Sequence, residues 1–216
     1  MPKKATKVEI QEIKEIFVER YSDAVTELEY KNIYELLISV MLSAQCTDKR
    51  VNIITPALFE KYPNPLTLAN ADLDEVKEFI KTCSFFNNKA KNLIKMANTV
   101  IENFGSEIPL DEKDLITLAG VGQKTANVVM IEYTGANLMA VDTHVYRVAH
   151  RLGLSYAKTA LQTEDELSKK FKTDLHILHQ AMVLFGRYIC KAKNPDCEGE
   201  CFMREYCKSK ESFKVG

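Results

Sequence analysis

No stretch of this chain is long and apolar enough to cross a bilayer. The longest apolar run, Leu36 to Leu42, is interrupted by Ser39 and falls far short of a span. No apolar segment follows the basic start Met1-Pro2-Lys3-Lys4, so no signal peptide is expected, and the protein reads as intracellular: cytoplasm or nucleoid in a prokaryote. Glycine and proline are sparse, eight and six in 216 residues, and there is no low-complexity tract, which leaves little room for disorder. Neither an obvious linker nor a fixed-period repeat divides the chain. Net charge is nearly absent too, at −1. That weighs against a uniformly basic nucleic-acid binder, but binding depends on the local patch rather than the sum. Between Lys77 and Lys95 five lysines (77, 81, 89, 91 and 95) stand against one acid, Glu78.

What is present is an ordinary globular composition, 46% apolar and 27% charged, with enough chain for one large domain or two small ones. The apolar periodicity is helical nearly throughout, and no alternating strand pattern competes with it. Ile10, Ile13, Ile16 and Phe17 mark one stripe. Ile33, Leu36, Leu37, Val40 and Met41 mark a deeply buried helix after Asn32, and Thr47 caps a third that runs to the break at Pro63 and Pro65. Further helices are expected over about 72–82 and 88–104, the latter stopping at Gly105. Residues 112–118 and 123–134 read as a helix–hairpin–helix, followed by helices over 143–152, 163–171 and 176–188. The fold class is all-α.

The most informative segment is Leu118-Ala119-Gly120-Val121-Gly122-Gln123-Lys124-Thr125-Ala126-Asn127. Gly120 and Gly122 allow a tight turn with positive φ and leave amide N–H groups bare at a helix mouth, where the dipole favours a phosphate. The same dipole disfavours a positive charge, which makes Lys124 a candidate nucleophile rather than an ordinary solvated helix lysine. Eighteen residues further on, Val141-Asp142-Thr143-His144 supplies a lone carboxylate that can also cap the next helix. The combination points to chemistry on a nucleic-acid backbone.

From Cys190 the periodicity fades, and something other than apolar burial is expected to fix the tail. Cys190, Cys197, Cys201 and Cys207 are spaced C-x6-C-x3-C-x5-C. Spacing alone leaves zinc and a 4Fe–4S cluster even, with two disulfides a weaker third reading because nothing indicates secretion. Cys46 and Cys83 fall in apolar helical surroundings and read as small buried hydrophobes.

The glycine hairpin, the Val-Asp-Thr-His segment and the four-cysteine tail together resemble the endonuclease III family of helix–hairpin–helix DNA glycosylases. The resemblance extends to Ser43-Ala44-Gln45-Cys46-Thr47-Asp48 and to the Phe85–Ala90 turn, so it covers most of the chain in the family's order. It implies a bilobal α fold: a bundle over about 26–136 containing the helix–hairpin–helix at about 112–134, and a second lobe from 1–25 plus 137–216. It implies a bifunctional glycosylase and abasic-site lyase in base excision repair, removing oxidised pyrimidines from duplex DNA and acting as a monomer. Lys124 would attack C1′ of an extruded nucleotide, and Asp142 would assist and stabilise the developing cation. The four cysteines would ligate a 4Fe–4S cluster.

By the same resemblance Gln45 would fill the gap left by the extruded nucleotide. Phe85 and Phe86 are wedge candidates, His144 is a minor candidate at the DNA, and Lys191 and Lys193 could grip phosphates. Three positions depart from the family pattern. Cys197 and Cys201 are separated by one residue more than usual, Ala119 stands where proline is usual, and Gln123 stands where a basic residue is frequent. Two other readings are an adenine-specific mismatch glycosylase of the same superfamily, which lacks the lysine, and a non-catalytic hairpin module, which needs neither Lys124 nor Asp142.

Overall fold

The computed structural model describes residues 3–209, and among them every regular element is helical. The chain forms two compact units, one from Thr26–Thr134 and one that joins Met1–Val25 to Gly135–Gly216.

The Thr26–Thr134 unit is organised around α2 (Ile33–Ser43), whose side chains from Tyr34 to Leu42 are all buried. A helix apolar all round belongs inside a core. Asn32 starts it, its side chain accepting from the Glu35 N–H at 3.0 Å. Against it pack α3 (Asp48–Lys61), capped by Thr47, and the long α6 (Phe86–Phe104), while α5 (Leu73–Ile80), capped by Asp72, packs on α3 and α6. Helix α6 ends at Gly105 with φ +60°, the left-handed C-terminal stop its sequence predicts. Helix α3 stops at Lys61, ahead of the expected break at Pro63, and Pro65 then opens a short helix that the periodicity does not mark, α4 (Pro65–Ala69). Pro65 occupies the first helical position, where its missing N–H costs nothing, and Asn64 and Thr67 cap reciprocally. The hairpin helices are α7 (Glu112–Leu115) and α8 (Gln123–Thr134). The first is shorter than the expected 112–118, because the chain leaves the helix at Ile116 to enter the turn.

The other unit holds α1 (Lys7–Arg20), α9 (Thr143–Arg151), α10 (Ala160–Phe171) and α11 (Leu175–Tyr188). A Thr6/Glu9 capping box starts α1, which buries Ile13 and Phe17 completely and Ile10 and Ile16 in part. Thr159, not Thr163, caps α10; Thr163 lies inside it, buried, with its hydroxyl on the Thr159 carbonyl at 3.0 Å. Apolar burial anchors the cysteine tail after all. Met203 is fully buried in this unit's core, and the Phe202 ring lies 5.0 Å from Phe185 and 6.2 Å from Phe17. Periodicity misses that anchor because it is two adjacent side chains in a loop.

Candidate active site

In the hairpin, Gly120 has φ +80°, and a Cβ there would sit 2.9 Å from the Asn92 side chain of α6. Both conformation and space therefore require glycine. Gly122 differs from expectation: its φ is not in the left-handed region and a Cβ would meet nothing within 4 Å. Its use is to leave the mouth of α8 uncovered. Lys124 is the second residue of α8, in its first turn, and is exposed. Gln123 takes no outward role. Its amide bonds the Glu112 carboxylate and, at 2.9 Å, Asn127 Oδ1, fastening α7 to α8.

Two turns of the same unit carry the other candidates. Gln45 (φ +56°) and Phe85 (φ +57°) are both exposed and both left-handed, a conformation that costs a non-glycine residue energy and clusters at functional sites. Phe85 is 63% exposed, whereas Phe86 is partly buried against the unit's core. Of the two wedge candidates, Phe85 is therefore the one that stands clear of the core. Lys89 closes the Gln45 turn by donating to the carbonyls of Leu42 and Ala44, each at 2.7 Å. It is therefore a helix C-terminal clamp rather than an open phosphate contact, and burial pushes its ammonium below the usual lysine range. Lys77 and Lys81 are likewise paired, with Asp74 and Glu78, which leaves Lys91 and Lys95 as the exposed lysines of α6.

In the other unit Asp142 caps α9, its Oδ1 accepting from the Val145 N–H at 2.7 Å. The bond fixes the carboxylate at the helix start. His144 stands in the first turn of α9, where Arg147 Nη2 donates to its Nδ1 at 3.1 Å. Gly186 of α11 accommodates that turn, since a Cβ there would come 2.9 Å from the His144 Cβ. Arg147 also bonds the Gly186 carbonyl at 2.6 Å and the Cys190 carbonyl at 2.9 Å. Arg151 reaches Cys190 Sγ at 3.2 Å and the Lys191 carbonyl at 2.7 Å. Neither arginine carried a signal in sequence. Helical spacing puts both on one face of α9, but only the packed tail supplies their acceptors. Lys191 and Lys193, on the loop these arginines hold, are exposed.

All six cysteines are free thiols in this structure. Cys190, Cys197, Cys201 and Cys207 line one small cavity with Phe185, Ile189 and Met203 along its wall. Burial pushes the Cys201 thiol up to about 11, and the neighbouring cysteines add to it. Burial also raises the Cys197 and Cys207 thiols above the usual range. Thiols in such a setting ionise readily only beside a metal. Four thiols on one cavity are the donor set that either a zinc ion or an iron–sulfur cluster takes.

Known proteins share this arrangement. Residues 38–173 match the HhH-GPD superfamily base excision DNA repair protein family. Endonuclease III of Rickettsia felis is 45% identical over 203 residues, covering 92% of this chain and 93% of its own. Endonuclease III of Bacillus subtilis is 43% identical over 190 residues, covering 87% and 86%. The solved structure of a trapped endonuclease III–DNA covalent intermediate superposes with a TM-score of 0.91 at 40% identity, over 96% of this chain and 98% of that one. Similar to these proteins over nearly its whole length, the chain belongs to the endonuclease III family.

Proposed function

We propose that this protein is a bifunctional DNA glycosylase and abasic-site lyase of base excision repair, releasing oxidised pyrimidines from duplex DNA. The observation that carries the reading is Lys124, an exposed amine at the glycine-flanked mouth of α8. A base inside a duplex is out of reach, so the nucleotide is first extruded. The Lys124 amine, unprotonated, attacks C1′ as the base departs with the electrons of the glycosidic bond. Asp142, ionised and immobilised by its bond to the Val145 N–H, stabilises the positive charge developing on the sugar. Opening of the sugar converts the C1′–Nζ linkage into a Schiff base, which acidifies the C2′ protons and permits β-elimination of the 3′ phosphate.

Gln45 and Phe85 are the residues we assign to the space vacated in the stack, being exposed and held in strained turns. The amides around Gly120 and Gly122, with Lys191 and Lys193, are assigned to the phosphates. Cys190, Cys197, Cys201 and Cys207 are assigned as ligands of a 4Fe–4S cluster; bound there, it would supply Fe–S bonds that cross-link the loop. Each unit closes its own core within one chain, which supports a monomer acting on double-stranded DNA.

Borohydride reduction on a duplex containing an abasic site tests the reading, because only a Schiff base becomes a permanent protein–DNA bond. Wild-type protein should be trapped. Lys124→Gln should still bind the duplex while losing trapping and base release. Undiminished trapping in Lys124→Gln would sink the assignment.

A further inference from the structure

Cys46 and Cys83 lie outside the cysteine loop and are 37 positions apart in sequence, yet their sulfurs are 3.3 Å apart. Cys46 directly follows Gln45, and Cys83 precedes Phe85 by two residues. The sulfur pair therefore joins the two left-handed turns at their bases, in a unit where Lys89 already clamps the end of α2. Bringing the sulfurs to bonding distance requires an approach of about 1.3 Å. Two buried hydrophobes would pack as well with one sulfur or none; the bland reading gives no reason for two thiols to meet between these turns. Cys83 is 3% exposed and Cys46 is half-buried.

We propose that Cys46 and Cys83 are a dithiol–disulfide pair, oxidised by a peroxide, that locks the Gln45 turn to the Phe85 turn and weakens binding to lesion-containing DNA. The effect on DNA rests on the function proposed above; the disulfide itself does not. Cys46, the more exposed sulfur, loses its proton and attacks a peroxide oxygen. The O–O bond breaks, leaving a sulfenic acid on Cys46, and the departing hydroxide takes up the proton as water. The Cys83 sulfur then attacks the Cys46 sulfur. The S–O bond breaks, and hydroxide leaves with the Cys83 proton as a second water. Two thiols are oxidised by two electrons and one peroxide becomes two waters. Burial keeps the Cys83 thiol from the peroxide, and its contact with Cys46 at 3.3 Å places it to resolve the sulfenic acid. Binding falls because the two turns, once linked, no longer shift independently around a bent duplex.

The test uses the full chain with its metal loaded, treated with hydrogen peroxide and digested with trypsin without reduction. Peptides 32–49 and 82–89 should appear as one linked species that dithiothreitol separates, and Cys46→Ser should abolish it. In parallel, affinity for a duplex carrying a stable abasic analogue should fall at least fivefold on oxidation and recover with dithiothreitol. Cys46→Ser should show no such fall. Absence of the linked peptide would overturn the proposal. So would a linked peptide without a change in affinity, or a fall shared by Cys46→Ser, which would belong to the cysteine loop. Failure of the reduced protein to bind the abasic duplex would overturn the switch together with the proposed function, and leave the disulfide to stand on its peptide.

Discussion

Side chains one or two positions apart divide sharply in what they do here. Asp142 combines a helix cap with a fixed negative charge, and the two roles separate by substitution. Asparagine caps a helix about as well as aspartate, so Asp142→Asn should leave the melting temperature nearly unchanged. Single-turnover base release should fall roughly 10²-fold or more, because the charge matters most where a cation develops. Normal turnover in a folded Asp142→Asn protein would reduce Asp142 to a cap. The two hairpin glycines separate in the same way. Gly120→Ala forces a Cβ against Asn92 at positive φ and should cost about 1–3 kcal/mol of stability in denaturant unfolding. Gly122→Ala meets open space, so its stability should stay within about 0.5 kcal/mol of wild type. Its affinity should weaken on every duplex sequence alike, since a methyl group crowds the mouth of α8. Equal destabilisation by both would show that the turn needs two glycines for conformation.

At the scale of elements, α9 does the most with the fewest residues. Its N-terminus carries Asp142, and Arg147 and Arg151 on its body hold the carbonyls of Cys190 and Lys191. The opposite end of the cysteine loop is held by Phe202 and Met203. Met203→Ala removes a completely buried side chain and should destabilise the protein by about 2–5 kcal/mol, measurable in urea. The loop should carry about four irons and four acid-labile sulfides per chain, giving brown protein. Colourless protein with one zinc would refute the cluster. Cys201→Ser tests the residue that follows the lengthened spacing: a full iron complement in that variant would remove Cys201 from the ligand set.

For the molecule as a whole, a net charge of −1 has to be reconciled with a polyanionic partner. Within the lysine-rich segment, Lys77, Lys81 and Lys89 are occupied by Asp74, Glu78 and the end of α2. Fewer cations than the composition suggests are therefore open to phosphates, and Lys191 and Lys193 are among the exposed ones. Affinity for lesion DNA should still fall steeply with salt, because each neutralised phosphate releases counterions. Lys191→Ala or Lys193→Ala should reduce the log–log slope by about one if that lysine meets a phosphate, without altering lesion preference. Affinity independent of salt would contradict phosphate-led binding.

The amino-acid sequence by itself determined the helical class, the caps at Asn32, Thr47 and Asp142, the stop at Gly105 and the family. All of these depend on residues within a turn or two of each other, or on motifs that stay contiguous. Tertiary structure alone decided which of Phe85 and Phe86 faces solvent, because the residues are chemically identical and differ only in the backbone they inherit. It alone turned Lys89 into a clamp, made Gln123 a tie to Glu112, and supplied Arg147 and Arg151 with acceptors about forty residues away. It also brought Cys46 against Cys83. Helical periodicity reports which face of an element is buried, but not which residue from a distant segment arrives there; that is settled by packing.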